Sequence, residues 1–223
     1  MNPHRFRFIE QNITGDLSDK KVLEIGSRIV SGSMRGYMES LNPKEYVGID
    51  IVPGEGVDLI LDVHDLENHF GKNVFDIIIC SDTLEHIDNL ESASLNMHSV
   101  LKIGGKLVLS VPTMETHYHG FPHDYWRITL KDFKHLFSFM KVLGAYDTEG
   151  ACIILEKQSD HFQFDSNYPI YSILRGKPIA KHNLIDKKLL SSYRKNAVAL
   201  RKFFVKYTPP SIKKIIRKIF NIQ

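Results

Sequence analysis

Short apolar blocks alternate with polar stretches through the first two thirds of the chain. Their spacing predicts strands at 21–27, 46–51, 58–63, 75–81, 105–111, 141–147 and 151–157. The early blocks, such as Val22-Leu23-Glu24-Ile25, are unbroken runs rather than strict alternations, which suits a sheet covered on both faces. Between them the pattern predicts helices at 32–41, 90–101 and 129–139. Gly104-Gly105 supplies the turn after the second helix, where a helix end favours glycine. Thr129, with Asp132 three residues on, makes a capped start before Phe133, Leu136 and Phe137. Only Thr148-Glu149-Gly150 separates the last two strands, so they read as an antiparallel hairpin. An alternating α/β chain that closes on a hairpin departs from the usual dinucleotide-binding arrangement.

The pattern then changes. Residues 159–183 hold Pro169, Gly176 and Pro178, lack a clean period, and read as a linker. Beyond them Ile185, Leu189, Tyr193, Ala197 and Leu200 recur at helical spacing until Pro209-Pro210, and Ile212, Ile215, Ile216 and Ile219 form a second stripe. The chain thus divides into an α/β domain over 1–158, a linker over 159–183 and a basic amphipathic helical tail over 184–223.

Charge sharpens that division. The formal net charge is +3, yet from Arg175 onward 14 Lys/Arg face a single acid, Asp186. The acidic body and the basic tail therefore read as doing different jobs. Composition is ordinary for a soluble globular protein, at 43% hydrophobic and 25% charged. No apolar run approaches the roughly 20 residues of a membrane span, and Met1 to Arg7 lack a signal-peptide apolar segment. A cytoplasmic location is the expectation, with peripheral attachment to the inner membrane face if the tail binds lipid. Cys80 and Cys152 both fall in buried strands and read as reduced core residues.

The candidate chemistry starts at Val22-Leu23-Glu24-Ile25-Gly26-Ser27, with Tyr46-Val47-Gly48-Ile49-Asp50 one βα unit later. A buried strand breaks into a glycine turn, and a second ends in a carboxylate. That is how a doubly wound sheet builds a nucleoside pocket at its strands' carboxyl ends. The glycine admits close backbone approach, and Asp50 accepts both ribose hydroxyls; the plainer reading of Asp50 is a strand-end turn residue.

Those runs, with Leu61-Asp62-Val63-His64-Asp65-Leu66, Phe75-Asp76-Ile77-Ile78-Ile79-Cys80-Ser81, Leu84-Glu85-His86-Ile87 and Leu101-Lys102-Ile103-Gly104-Gly105-Lys106-Leu107, resemble the class I S-adenosylmethionine-dependent methyltransferases, of the type 11 kind, over about residues 14–158. The segment His119-Gly120-Phe121-Pro122-His123-Asp124-Tyr125-Trp126-Arg127-Ile128-Thr129 resembles one in bacterial methyltransferases of glycan clusters. The implied fold is a Rossmann-like seven-stranded sheet with a C-terminal antiparallel hairpin, extended by the basic helical tail. The implied cofactor is S-adenosylmethionine, leaving as S-adenosylhomocysteine. One departure stands out: the first loop has Ser27-Arg28-Ile29-Val30-Ser31 between Gly26 and Gly32, where such proteins often space three glycines.

The resemblance implies a cofactor set of Glu24, Gly26, Ser27, Asp50, Ile51, Asp62, Val63, Ser81 and Asp82. Glu24 would face the amino acid end, Asp62 the adenine, and Ser81 and Asp82 the transferring methyl; simple loop polarity is the rival for the last two. For His86 a structural hydrogen bond explains the residue as well as catalysis does. After the fifth strand, His119, Tyr125, Trp126 and Arg127 read as an acceptor-binding loop, with His123 and Asp124 as the base for a hydroxyl acceptor. Sugars suit such a mixture, because their C–H faces stack and their hydroxyls need partners. Tyr125 and Trp126 packing the loop onto the sheet is the rival. No metal site is expected, since His117, His119 and His123 lack a fourth ligand fixed by spacing.

The function expected is O-methylation of a sugar or cell-surface glycan precursor. A small metabolite, quinone or RNA is the alternative acceptor, and a non-catalytic scaffold is the alternative class. For the tail, an anionic membrane surface, packing on the body or a second copy in a homo-oligomer, and nucleic acid stand in that order.

Overall fold

The computed structural model describes residues 2–30, 32–120 and 123–181. It opens with α1 (Pro3–Asn12), which the strand pattern does not predict. Asn2 caps it, its side chain accepting from His4 N at 2.8 Å, and Pro3 sits in the first turn where no N–H is needed. Phe6, Ile9 and Ile13 fall at helical spacing; Ile9 and Ile13 are buried against the sheet with Met34, Met38, Ile77 and Val108.

The alternating region follows: β1 (Lys21–Ile25), α2 (Arg35–Ser40), β2 (Glu45–Asp50), β3 (Leu59–Ile60), α3 (Leu66–Phe70), β4 (Phe75–Ser81), α4 (Leu90–Val100) and β5 (Leu101–Ser110). After them come β6 (Trp126–Arg127), α5 (Leu130–Leu136), β7 (Lys141–Tyr146), β8 (Cys152–Glu156), β9 (Ile170–Ser172) and β10 (Lys177–Ile179). Seven strands form one sheet in the order β3-β2-β1-β4-β5-β8-β7. The first five are parallel, while β8 runs antiparallel to both β5 and β7. This is the expected Rossmann-like sheet with its terminal hairpin. Its central strands are covered on both faces: Val22, Leu23, Ile78, Ile79, Leu107 and Val108 are all fully buried.

Boundaries moved where side chains or glycines intervene. The expected third strand shrinks to two residues because Asp62 turns to cap a short 3-10 turn over Val63–Asp65. The expected helix at 32–41 begins only at Arg35, after a loop that includes Gly32 at φ +120°. Gly104, at φ +79°, is not a helix terminator. It lies inside β5, which starts at Leu101 and slips register against β4 between Phe75 and Ile77.

The expected linker is the larger correction. Residues 170–179 form β9 and β10, and β9 pairs antiparallel with β6 through Trp126 opposite Ser172 and Arg127 opposite Tyr171. Upstream, Phe162 packs edge-on against Phe139 with ring centroids 5.2 Å apart and lies 5.7 Å from His98. Lys157, almost fully buried, donates to the carbonyls of His98 and Leu101, each at 2.8 Å, and to Asn73 Oδ1 at 2.9 Å. Local periodicity misses this segment because its order comes from tertiary partners. The basic tail expected over 184–223 lies outside the described residues. Among those described, no helix is long and apolar enough to cross a membrane. Cys80 and Cys152 are free and buried, and burial pushes both thiols up, Cys152 to about 12.

His98 carries a pH signature. Burial first, and then the charge of Lys157, push its imidazole down from 6.5 to about 4. Below pH 6.5 the unfolded chain takes up a proton that the folded chain refuses until about pH 4. Stability is therefore complete above that window and declines as pH falls through it. Melting temperature followed by circular dichroism should drop across the window, with a shallower slope in His98→Gln. An equal slope in the variant would contradict the assignment.

Candidate active site

The carboxyl ends of β1, β2 and β4 open onto one crevice of about 510 Å³. At its floor β1 breaks at Gly26, which has φ +73°. Gly26 N and Ser27 N both donate to Ile49 O at 2.9 Å, folding the turn over the tip of β2. A Cβ on Gly26 would come within 2.7 Å of Thr83 Cγ2 and closer still to its hydroxyl, so any side chain here meets both backbone strain and a collision. Ser27 is 2% exposed and its hydroxyl has no hydrogen-bond partner. A buried hydroxyl left unpaired where the backbone has been thinned to glycine suits a polar ligand.

Glu24 lies behind that turn, buried, accepting from Tyr46 Oη at 2.6 Å and from Met34 N and Ser33 Oγ at 3.4 Å. Burial raises its carboxyl, against the pull of the Tyr46 hydrogen bond. Asp50, at the tip of β2, lines the crevice with Oδ1 held by Val52 N at 3.1 Å. Beside it Ile51, 48% exposed, and Val63 add apolar surface. Asp62 also lines the crevice. Its Oδ1 accepts from His64 N at 3.0 Å and sits 2.6 Å from His64 Nδ1, and these hydrogen bonds overcome burial to lower its carboxyl. Arg28, the departure in the glycine loop, lines the crevice too, its stem laid where a Cβ on Gly54 would be.

At the tip of β4 the Ser81 hydroxyl shares a 2.6 Å hydrogen bond with that of Ser110. Asp82, in the left-handed region at φ +48°, forms an ion pair with Arg5 at 2.6 Å. Burial, and then repulsion from Glu85, raise the Asp82 carboxyl against the pull of Arg5. Arg5 reaches the crevice from α1 and is 4% exposed. The motifs do not show it; Arg5 falls one helical turn before the buried Ile9, and that spacing was its signal.

The turn after β4 and the segment after β5 form one unit. Tyr125 N donates to Glu85 O at 2.8 Å, Trp126 Nε1 to Ile87 O at 2.8 Å, and His86 Nδ1 lies 2.6 Å from His123 O. Arg127, 1% exposed, grips both Asp124 oxygens at 2.6 and 2.8 Å and also donates to the carbonyls of Thr116, His117 and Trp126. Burial alone would raise the Asp124 carboxyl, but the hydrogen bonds from Arg127 and then His119 hold it well below the usual range. His119 Nδ1 lies 3.0 Å from Asp124 Oδ2 and its Nε2 3.7 Å from Glu85 Oε1. Those two carboxylates, Asp124 first, push its imidazole up to about 10.

This geometry sorts the expected residues. Glu24, Gly26, Ser27, Asp50, Ile51, Asp62, Val63, Ser81 and Asp82 all line the crevice, and so do His119 and Tyr125. His123, Asp124, Trp126 and Arg127 do not. Trp126 is fully buried with its N–H spent on Ile87, so it packs the loop instead of offering a stacking face. Arg127 is likewise an internal clamp. Asp124, saturated by Arg127 and held ionised, is a poor proton acceptor, and His123 contributes its carbonyl to His86. His86 does make a structural bond through Nδ1, yet it also lines the crevice. Glu85, unassigned by the sequence reading, is fully buried, lines the crevice, and has no hydrogen bond to either carboxylate oxygen. A charged residue within the apolar turn Leu84-Glu85-His86-Ile87 was its signal.

A parallel sheet with an antiparallel closing pair, holding a glycine turn, a strand-end acid and a deep polar crevice, defines the class I methyltransferases. The profile of the methyltransferase-domain family matches residues 1–143, and the chain belongs to that family. It is an S-adenosylmethionine-dependent methyltransferase. Solved structures with the same fold include a methyltransferase of Archaeoglobus fulgidus, at TM-score 0.55 and 14% identity, with 68% of this chain and 92% of that one covered. Another is the 1,6-didemethyltoxoflavin N1-methyltransferase of Burkholderia thailandensis, with its substrate and S-adenosylhomocysteine bound, at TM-score 0.54 and 12% identity over 70% of this chain and 78% of that one. A search of curated proteins finds no match.

Breaking the internal clamp should cost the domain dearly. Arg127→Ala leaves Asp124 buried without its partner, a change worth about 3–5 kcal/mol, or on the order of 10 °C in melting temperature for a domain of this size. A loss under about 2 °C in a calorimetric scan would show that the clamp is not what holds the loop.

Proposed function

We propose that the enzyme methylates a hydroxyl of a sugar or glycan precursor. The observation that carries this reading is the make-up of the crevice beyond Ser81 and Asp82. Glu85, His86 and His119 lie together there, and Tyr125 also lines the crevice. Such a lining suits a compact polyol, whose hydroxyls need hydrogen-bond partners and whose C–H face takes an aromatic ring. A flat apolar acceptor such as a quinone ring would leave these polar groups unpaired.

The sulfonium of the cofactor supplies a methyl that is already strongly electrophilic, so the protein's task is alignment. In this reading Asp50 takes the ribose hydroxyls, and Glu24 with Ser27 serves the amino acid end. Ile51, Val63 and Asp62 flank the base. Ser81 and Asp82 sit at the rim between the two halves, with Arg5 pinning Asp82. A hydroxyl acceptor loses a proton as its new C–O bond forms. His123 and Asp124, first expected as the base, do not line the crevice. On the acceptor side Asp82 is taken by Arg5, which leaves Glu85 uncommitted to any arginine.

The test is an acceptor screen with methyl-labelled S-adenosylmethionine against nucleotide sugars, quinones, small aromatic metabolites and RNA. Label should enter a sugar as a base-stable methyl ether. Transfer to a quinone, metabolite or RNA alone would replace the glycan reading with one of its rivals.

A further inference from the structure

Outside the cofactor half, the densest group of potential ligands among the described residues is Glu85, His86 and His119. The geometry points to a divalent-cation site built by Glu85 Oε1 and the Nε2 atoms of both histidines, open on its remaining side to the acceptor.

Three observations carry it. Glu85 is fully buried and neither of its oxygens has a hydrogen bond, so its charge is met only by the two imidazoles 3.7 and 3.8 Å away. A dication would meet it at closer range and displace the proton that Asp124 and Glu85 favour on His119. Each histidine is also oriented from behind. His86 Nδ1 lies 2.6 Å from the carbonyl of His123, and His119 Nδ1 lies 3.0 Å from Asp124 Oδ2. Holding Nδ1 in this way fixes the ring and leaves Nε2 as the ligand atom, the arrangement that metal-binding histidines need behind them. Finally, the ligand atoms converge: the Nε2 atoms of His86 and His119 lie 3.8 and 3.7 Å from Glu85 Oε1, and all three atoms fall within 4.8 Å of one another.

Around a first-row cation with bonds of about 2.0–2.2 Å, neighbouring ligands sit roughly 3.0–3.5 Å apart. Each histidine would therefore close on Glu85 by about an ångström or less and the two histidines on each other by no more than about 2 Å, within the reach of ring rotations. Two imidazoles and one carboxylate favour a transition-metal dication such as Zn²⁺, Mn²⁺ or Fe²⁺ over Mg²⁺ or Ca²⁺, which prefer all-oxygen sites. The Arg127 clamp acquires a purpose here, because it holds Asp124 where Asp124 holds His119. This is also not the trio of loop histidines that spacing would suggest, since of those three only His119 lines the crevice.

The site deepens the glycan reading and rests on it for its role. A cation with open positions would ligate the acceptor hydroxyl, or two neighbouring hydroxyls of a sugar, and lower the pKa of the one to be methylated, so that its proton passes to water while the new C–O bond forms and the C–S bond of the sulfonium breaks. That answers the missing base. Metal binding itself needs no acceptor and can be measured alone.

Metal-stripped full-length protein would be titrated with Co²⁺ and followed by its visible d–d absorption, which reports nitrogen ligation. One Co²⁺ per chain is expected, with affinity at least tenfold weaker in Glu85→Gln and in His119→Ala, while S-adenosylhomocysteine binding persists in both. Should Glu85→Gln fail to fold, His119→Ala decides, because His119 is partly exposed and its loss leaves the buried clamp in place. Absence of the band in wild-type protein that still binds S-adenosylhomocysteine overturns the proposal, and so does undiminished affinity in the variants. Full methyl transfer to a sugar after chelation would likewise sink the metal while leaving the glycan reading intact.

Discussion

The crevice depends on the point where strand order reverses. From β1 the chain adds β2 and β3 on one side, then crosses to add β4 and β5 on the other. The connections after β1 and β4 leave the sheet in opposite directions, and their divergence opens a cleft that side chains of the sheet itself do not fill. Every cofactor-side residue follows from that one topological fact. Gly26 has to be glycine because Thr83, after β4, approaches the turn that follows β1. Asp50 faces the same opening because β2 lies in parallel register with β1, Ile25 beside Ile49.

The acceptor half obeys a different constraint, that of buried charge. Asp82, Glu85 and Asp124 cluster in and behind the crevice, and each needs compensation. Arg5 reaches Asp82 from the far end of the chain, and Arg127 meets Asp124 from three residues away. Glu85 is left with two histidines at distances longer than a hydrogen bond. The two ion pairs frame Glu85, which lines the crevice between them.

Much of this was legible in the sequence, and its limits have physical causes. The central strands were readable because burial on both faces makes them unbroken apolar runs. That the residues from Glu24 to Asp82 expected on the cofactor side line one crevice was readable because they lie at or near the strand ends that those runs define. The acceptor loop was readable as a segment but not residue by residue. Tyr125 precedes the two-residue strand Trp126–Arg127, and composition does not say which of the three face the crevice. Trp126 and Arg127 are buried by partners far from any local pattern, Trp126 through its N–H to Ile87 O and Arg127 through Asp124, beside β9, whose own stretch carries no periodic signal. Arg5 and Glu85 escaped for a related reason. Their roles come from long-range partners, Asp82 across the chain and the two histidines around a turn.

Calorimetric titration with S-adenosylhomocysteine, comparing wild-type protein with Asp50→Ala, tests the central claim most directly. Micromolar binding in the wild type, lost in a variant that remains folded, is the result this account requires. Folded wild-type protein that binds nothing, or a variant that binds as well as its parent, would contradict it.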